Sequence, residues 1–186
     1  MKNSNSARKK SPWIYEHRYS IDNSTTLICF PYAGGNTHAY STWCQFLPDD
    51  WNLLAIQYPG RLSLIEYAPE KDISKLVDRL YPSLEPYLGN DKIIFFGHSL
   101  GALVSYELAK QVETFRHNPI DALYVSACVS PDRVGKEEGI HHLSDADFLT
   151  KISGYGGTPK EILQDKELMD FFLPVLKSDF CLYETY

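Results

Sequence analysis

Short unbroken apolar runs alternate along this chain with stretches in which apolar residues recur every three or four positions. The runs "TTLICF" (25–30), "NLLAIQY" (52–58), "KIIFF" (92–96) and "DALYVSAC" (121–128) are too short and too continuous for amphipathic helices, and predict strands buried on both faces. Between the second and third, Ile73, Leu76, Val77, Leu80, Leu84 and Leu88 share one helical stripe, with Asp72 as N-cap and with Pro82 and Pro86 bending or breaking the helix. The spacing predicts further helices over Thr37–Phe46, with Tyr40, Trp43 and Cys44 near one face, and after Gly97–Gly101, where Leu100, Leu103, Val104 and Leu108 share a face. Strands alternating with helices define an α/β fold with a mainly parallel sheet.

Beyond Pro131 the alternation stops and helices follow one another. Ser144, with Asp147 three residues on, starts one; Thr158, Pro159 and Glu161 start a second. A third begins near Asp165, carries Leu168, Met169 and Phe172, and is expected to be disturbed at Pro174. The organisation read from this is a disordered tail and lead-in over 1–20, an α/β core over 21–134 and a helical region over 135–186.

Composition narrows the function. At 186 residues, 44% hydrophobic and 23% charged, the chain fits one globular domain. The net charge is −6, and Lys2, Arg8, Lys9 and Lys10 lie in the first twelve residues, so the remainder is more acidic still and nucleic acid is an unsuitable partner. No apolar run is long enough for a signal-peptide core or a bilayer crossing. Cys29, Cys44, Cys128 and Cys181 are dispersed without a C-x-x-C pair, which suits reduced thiols and a cytoplasmic protein. His141 and His142 are adjacent but lack further ligands at metal-site spacing, so neither metal nor cofactor is expected.

The candidate chemistry sits in "GHSLG", Gly97–Gly101, between a buried strand and a helix. That context marks Ser99 as a nucleophile on a sharp strand-to-helix elbow, where flanking glycines avoid collisions and the helix N-terminus stabilises a developing oxyanion. The N–H of Leu100 is the first expected oxyanion donor. A second is expected from "FPYAGG", Phe30–Gly35, from Ala33 in preference to Tyr32. His98 adjoins the serine but faces elsewhere at such an elbow, and Arg61 in "YPGR" reads as a solvated loop arginine.

These segments, together with "YPGR", "GHSLGALVSYELA", "HHLSDADFLTKISGYGGTPKEIL" and "FLPVLKSDFCLYETY", resemble the type II thioesterases that accompany nonribosomal peptide and polyketide synthases, within the α/β-hydrolases. The resemblance runs from Leu27 over nearly the whole chain. It implies a mainly parallel sheet flanked by helices with a helical lid, and hydrolysis of acyl groups from the phosphopantetheine arm of an acyl or peptidyl carrier protein. It also implies a triad acid and histidine after the lid. The chain reaches Tyr186 before either, so the C-terminal strands are expected to be missing and the activity of this chain to be low. Among the histidines after Ser99, namely His117, His141 and His142, none is convincing as the base. Asp132, just after the fourth strand, is an alternative acid beside its reading as a turn residue. Two other functions stay open: a non-catalytic carrier-protein binding module and a general carboxylester hydrolase.

Overall fold

The computed structural model describes residues 11–89, 92–115, 120–136, 138–156 and 165–186. Five strands form one sheet: β1 (Ile14–Arg18), β2 (Thr25–Phe30), β3 (Trp51–Ile56), β4 (Lys92–His98) and β5 (Ala122–Ser126). Their spatial order is β1-β3-β2-β4-β5, with β1 antiparallel to β3 and every other pair parallel. Among the described residues four α-helices accompany them: α1 (Ile73–Leu84), α2 (Leu100–Phe115), α3 (Asp145–Gly154) and α4 (Lys166–Glu184).

Alternation along the strands divides the core between two faces. Ile28, Phe30, Leu54, Ile56, Ile93 and Phe95 pack on the stripes of α1 and α2, where Leu76, Leu80, Val104 and Leu108 are buried. Each such side chain contributes about 1.5–3 kcal/mol by leaving water. On the opposite face Leu27, Cys29, Leu53 and Ala55 pack with Tyr40 and Trp43. Helix starts follow the expected chemistry, since the carboxylates of Asp72 and Asp165 accept from Lys75 and Leu168 N–H, and the Ser144 hydroxyl accepts from Asp147 N–H. Helices α3 and α4 build a smaller core of their own from Ile140, Phe148, Ile152, Met169, Leu173 and Leu176.

Several expectations need correction. Residues 14–18, placed in the disordered lead-in, form edge strand β1. Only Ile14 of this strand is buried, so no run of apolar residues announced it. The helix expected over Thr37–Phe46 is two one-turn 3-10 helices, Thr37–Tyr40 and Trp43–Gln45. The break lets Tyr40 and Trp43 both reach the sheet: their rings meet edge to face at 5.1 Å, both lie against Phe96, and the Tyr40 hydroxyl donates to Phe30 O. Strand β3 ends at Ile56, two residues short of the apolar run, although Gln57 N–H still donates to Trp13 O at 2.8 Å in the register of the β1–β3 pair.

Strands β4 and β5 are less covered than a doubly buried run requires. Ile94 and Phe96 are half-buried, while Tyr124 and Val125 are 59% and 58% exposed on β5, the last strand in the order. Neither proline stops its helix: α1 passes Pro82 to Leu84, and α4 passes Pro174 to Glu184. The helix start at Thr158, Pro159 and Glu161 lies outside the described residues.

Candidate active site

Strand β4 ends at His98 and α2 begins at Leu100, which leaves Ser99 alone at the corner. Its φ is +53°, a left-handed conformation that costs a side-chain-bearing residue roughly 1–2 kcal/mol. Two bonds hold it there: Ser99 N–H donates to Ser126 O at 2.8 Å, and Ser99 O accepts from Ala102 N–H at 2.9 Å. A Cβ on Gly97 would lie 2.2 Å from Gly101 O, and one on Gly101 would lie 2.0 Å from Phe30 O. Both neighbours are backbone, so only glycine fits on either side of the serine. The same close approach brings the end of β2, and the loop after it, to the base of α2.

In that loop Gly35 N–H donates to Tyr32 O at 2.8 Å and Gly34 N–H to Asp179 Oδ2 at 2.7 Å. Among the described residues neither Ala33 N–H nor Leu100 N–H has an acceptor. Ala33, Leu100 and Ser99 line one cavity of about 600 Å³, with Val129, Tyr155 and Phe180 on its other walls. An unpaired amide at a helix N-terminus and another across the cavity are the elements of an oxyanion site. Tyr32 is exposed, with its ring edge-on to His98 at 5.9 Å.

Arg61 is not the solvated residue expected. It is 4% exposed, and its guanidinium makes a forked pair with Asp179 of α4, Nη1 to Oδ2 at 2.8 Å and Nη2 to Oδ1 at 2.7 Å. Nη1 also donates to Gly35 O at 3.0 Å, and Nε to Pro59 O at 3.3 Å. The arginine turns inward because Gly60 and Leu62 on either side take left-handed φ values of +80° and +48°. Below the guanidinium lies the ring of Tyr58, 5.5 Å away; burial pushes that phenol well above its ordinary pKa and keeps it neutral. Asp179, itself 1% exposed, was not singled out from the sequence. The signal available was an aspartate on the apolar stripe of α4, between buried Leu176 and Leu182.

The described histidines make hydrogen bonds or ring contacts with groups other than the serine hydroxyl. His98 Nδ1 lies 3.0 Å from Ser126 Oγ. His141 Nδ1 lies 2.6 Å from Glu184 Oε2, which also accepts from Ile140 and His141 N–H at 2.9 Å, and exposed His142 stacks edge-on against His141. His117 lies outside the described residues. Asp132 is exposed in a one-turn helix, Pro131–Arg133, whose last residue lines the cavity. Among the described residues no group of three or more metal-ligating side chains occurs, and no helix is long and apolar enough to cross a membrane.

A mainly parallel sheet with a left-handed serine between a central strand and the helix after it defines an α/β-hydrolase fold. More particularly, the chain belongs to the thioesterase domain family, whose match covers residues 25–186. It is 34% identical over 175 residues to the gramicidin S biosynthesis protein GrsT of Aneurinibacillus migulanus, covering 94% of this chain and 68% of that protein. It is also 34% identical over 179 residues to the linear gramicidin dehydrogenase LgrE of Brevibacillus parabrevis, covering 95% of this chain and 68% of that one. The second name is not matched by any G-x-G-x-x-G dinucleotide fingerprint in this sequence. Among solved structures, the type II thioesterase BorB from the borrelidin biosynthetic cluster superposes with a TM-score of 0.83 at 33% identity, over 96% of this chain and 72% of that chain.

Proposed function

We propose that this protein hydrolyses acyl thioesters on the phosphopantetheine arm of acyl or peptidyl carrier proteins in nonribosomal peptide or polyketide synthesis. Family membership and relatives named for gramicidin S and borrelidin biosynthesis support the reading. The observation that carries it is the cavity shared by Ser99, Leu100 and Ala33.

In this reading Ser99 Oγ attacks the thioester carbonyl. The tetrahedral oxyanion is held by Leu100 and Ala33 N–H, and collapse breaks the C–S bond so that the thiol leaves with a proton. Water then hydrolyses the acyl-serine by the same route. A base must take the serine proton. The described histidines make their bonds and ring contacts with other groups, so the roles assigned here are the nucleophile, Ser99, and the two oxyanion donors. Asp132, on the loop leaving β5 beside a cavity-lining arginine, is the candidate acid.

Acylated holo-carrier protein is the substrate for the test, with thiol release followed continuously. Release by the parent protein that falls about 100-fold or more in Ser99→Ala supports the proposal. Equal release by both proteins overturns it. The position of the histidines favours one competing reading, a module that binds the loaded carrier without turnover. Carrier binding that survives Ser99→Ala, with no thiol released, would establish that alternative.

A further inference from the structure

The buried pair of Arg61 and Asp179 joins three segments far apart in sequence. Asp179 is on α4, Arg61 follows β3, and both hold the loop after β2: Asp179 Oδ2 accepts from Gly34 N–H at 2.7 Å while Arg61 Nη1 donates to Gly35 O at 3.0 Å. These bonds clamp the peptide immediately beyond Ala33. The seat is shaped for the clamp, since a Cβ on Gly34 would meet Leu176 of α4 at 2.5 Å and one on Gly60 would meet Val175 of α4 at 3.2 Å. Asp179, which also lines the Ser99 cavity, accepts three of these bonds, two at Oδ2 from Arg61 and Gly34 N–H and one at Oδ1 from Arg61.

We infer that Asp179 and Arg61 are positioning residues: they set the Ala33 N–H at the oxyanion site, and they do so only while α4 is seated against the loops ending at Gly35 and Gly60. The inference rests on the reading of Ser99 and Ala33 proposed above. Its physical basis is that an oxyanion donor contributes only when held in place before the charge develops, and that the loop's own bonds among the described residues amount to the Gly35 N–H to Tyr32 O turn. A helix that lifts withdraws the Gly34 acceptor and leaves Arg61 without its counter-ion. Helix seating and oxyanion geometry are therefore one event.

Breaking a buried pair by removing one partner leaves the other charge uncompensated and risks unfolding, whereas replacing both by apolar residues of similar volume is often neutral for stability. The informative variant is thus the double change Arg61→Met/Asp179→Leu, made beside Asp179→Asn. Two readouts are taken on the whole protein: kcat and KM for an acyl-carrier thioester, and amide hydrogen exchange resolved to the peptide spanning 31–36. The expected result is a melting temperature close to the parent for the double variant, kcat lower by about 10- to 100-fold with KM within about 3-fold, and faster exchange confined to 31–36. Parental kcat in the folded double variant, or unchanged exchange over 31–36, overturns the inference. A parent protein that turns over no thioester defeats the catalytic reading instead, and the exchange rates alone then decide whether the tether orders the loop.

Discussion

Replacing Ser99 by glycine and, separately, by alanine isolates the backbone strain at the elbow. The hydroxyl has no hydrogen-bond partner among the described residues and the side chain is half-buried. Ser99→Ala should therefore leave stability within about 0.5 kcal/mol of the parent. The glycine variant differs from the alanine variant in two ways of opposite sign. It relieves a left-handed φ of +53°, worth roughly 1–2 kcal/mol. It also adds the freedom of an unfolded glycine, which costs about 0.5–1 kcal/mol. The net expectation is a glycine variant more stable than the alanine variant by about 0.5–1 kcal/mol, the reverse of the order at an ordinary helix or strand position.

Equilibrium urea unfolding measures this directly. With a slope of about 2 kcal/mol/M, the glycine midpoint should lie roughly 0.25–0.5 M above that of alanine. Neither variant should release thiol from a loaded carrier, so stability would rise as activity disappears. A glycine midpoint at or below the alanine midpoint would refute the claim that Ser99 is strained, and with it the physical reason for placing the nucleophile there.

Gly101→Ala places a Cβ 2.0 Å from Phe30 O and should destabilise by about 2–3 kcal/mol in the same titration, while Gly154→Ala, whose Cβ meets nothing within 4 Å, should stay within about 0.5 kcal/mol. Burial is the main cause that lowers the His17 pKa below its ordinary 6.5, aided by His38 and opposed by the bond to Thr37 O. The unfolded chain therefore takes up this proton first: stability from His17 is complete above about pH 6.5 and is lost as pH falls below it, so His17→Gln should flatten the slope of unfolding free energy between about pH 7 and 5. Burial raises the Cys29 thiol far above its ordinary range, so under native conditions a thiol reagent should modify half-buried Cys44, Cys128 and Cys181 well before it.

The parts of the fold legible in the sequence are those where one residue type has one physical use. Continuous apolar runs located β2 and β3 because a strand covered on both sides must be apolar at nearly every position, and the same pattern located β4 and β5 although these are only partly covered. Asp72, Ser144 and Asp165 marked helix starts, and Gly97 and Gly101 marked the elbow, because few residues substitute there. Strand β1 was not legible, since a strand with one buried residue has no pattern to show. Arg61 and Asp179 were missed for a related reason. A buried charge is intelligible only with its partner, and theirs is 118 positions away in sequence.

Strain is concentrated around the proposed chemistry. The described non-glycine residues with left-handed φ are Leu62 at +48°, Ser99 at +53° and Ala127 at +52°. Ser99 is the corner itself. Ala127 follows Ser126, whose carbonyl holds Ser99, and turns the chain toward Val129 and Arg133 on the cavity wall. Leu62 is 44% exposed and follows Arg61, so its conformation sends one side chain outward and the guanidinium inward to Asp179. At about 1–3 kcal/mol each, these three residues oppose folding by an amount comparable with much of the net stability of a domain. Such a cost persists only where the surroundings over-determine it. Here they do so through the Ser126 carbonyl, the glycine contacts of the elbow and the Arg61–Asp179 clamp. Packing requirements alone would be met by glycine at all three positions. The side chain kept at 99 fits the proposed use of its hydroxyl.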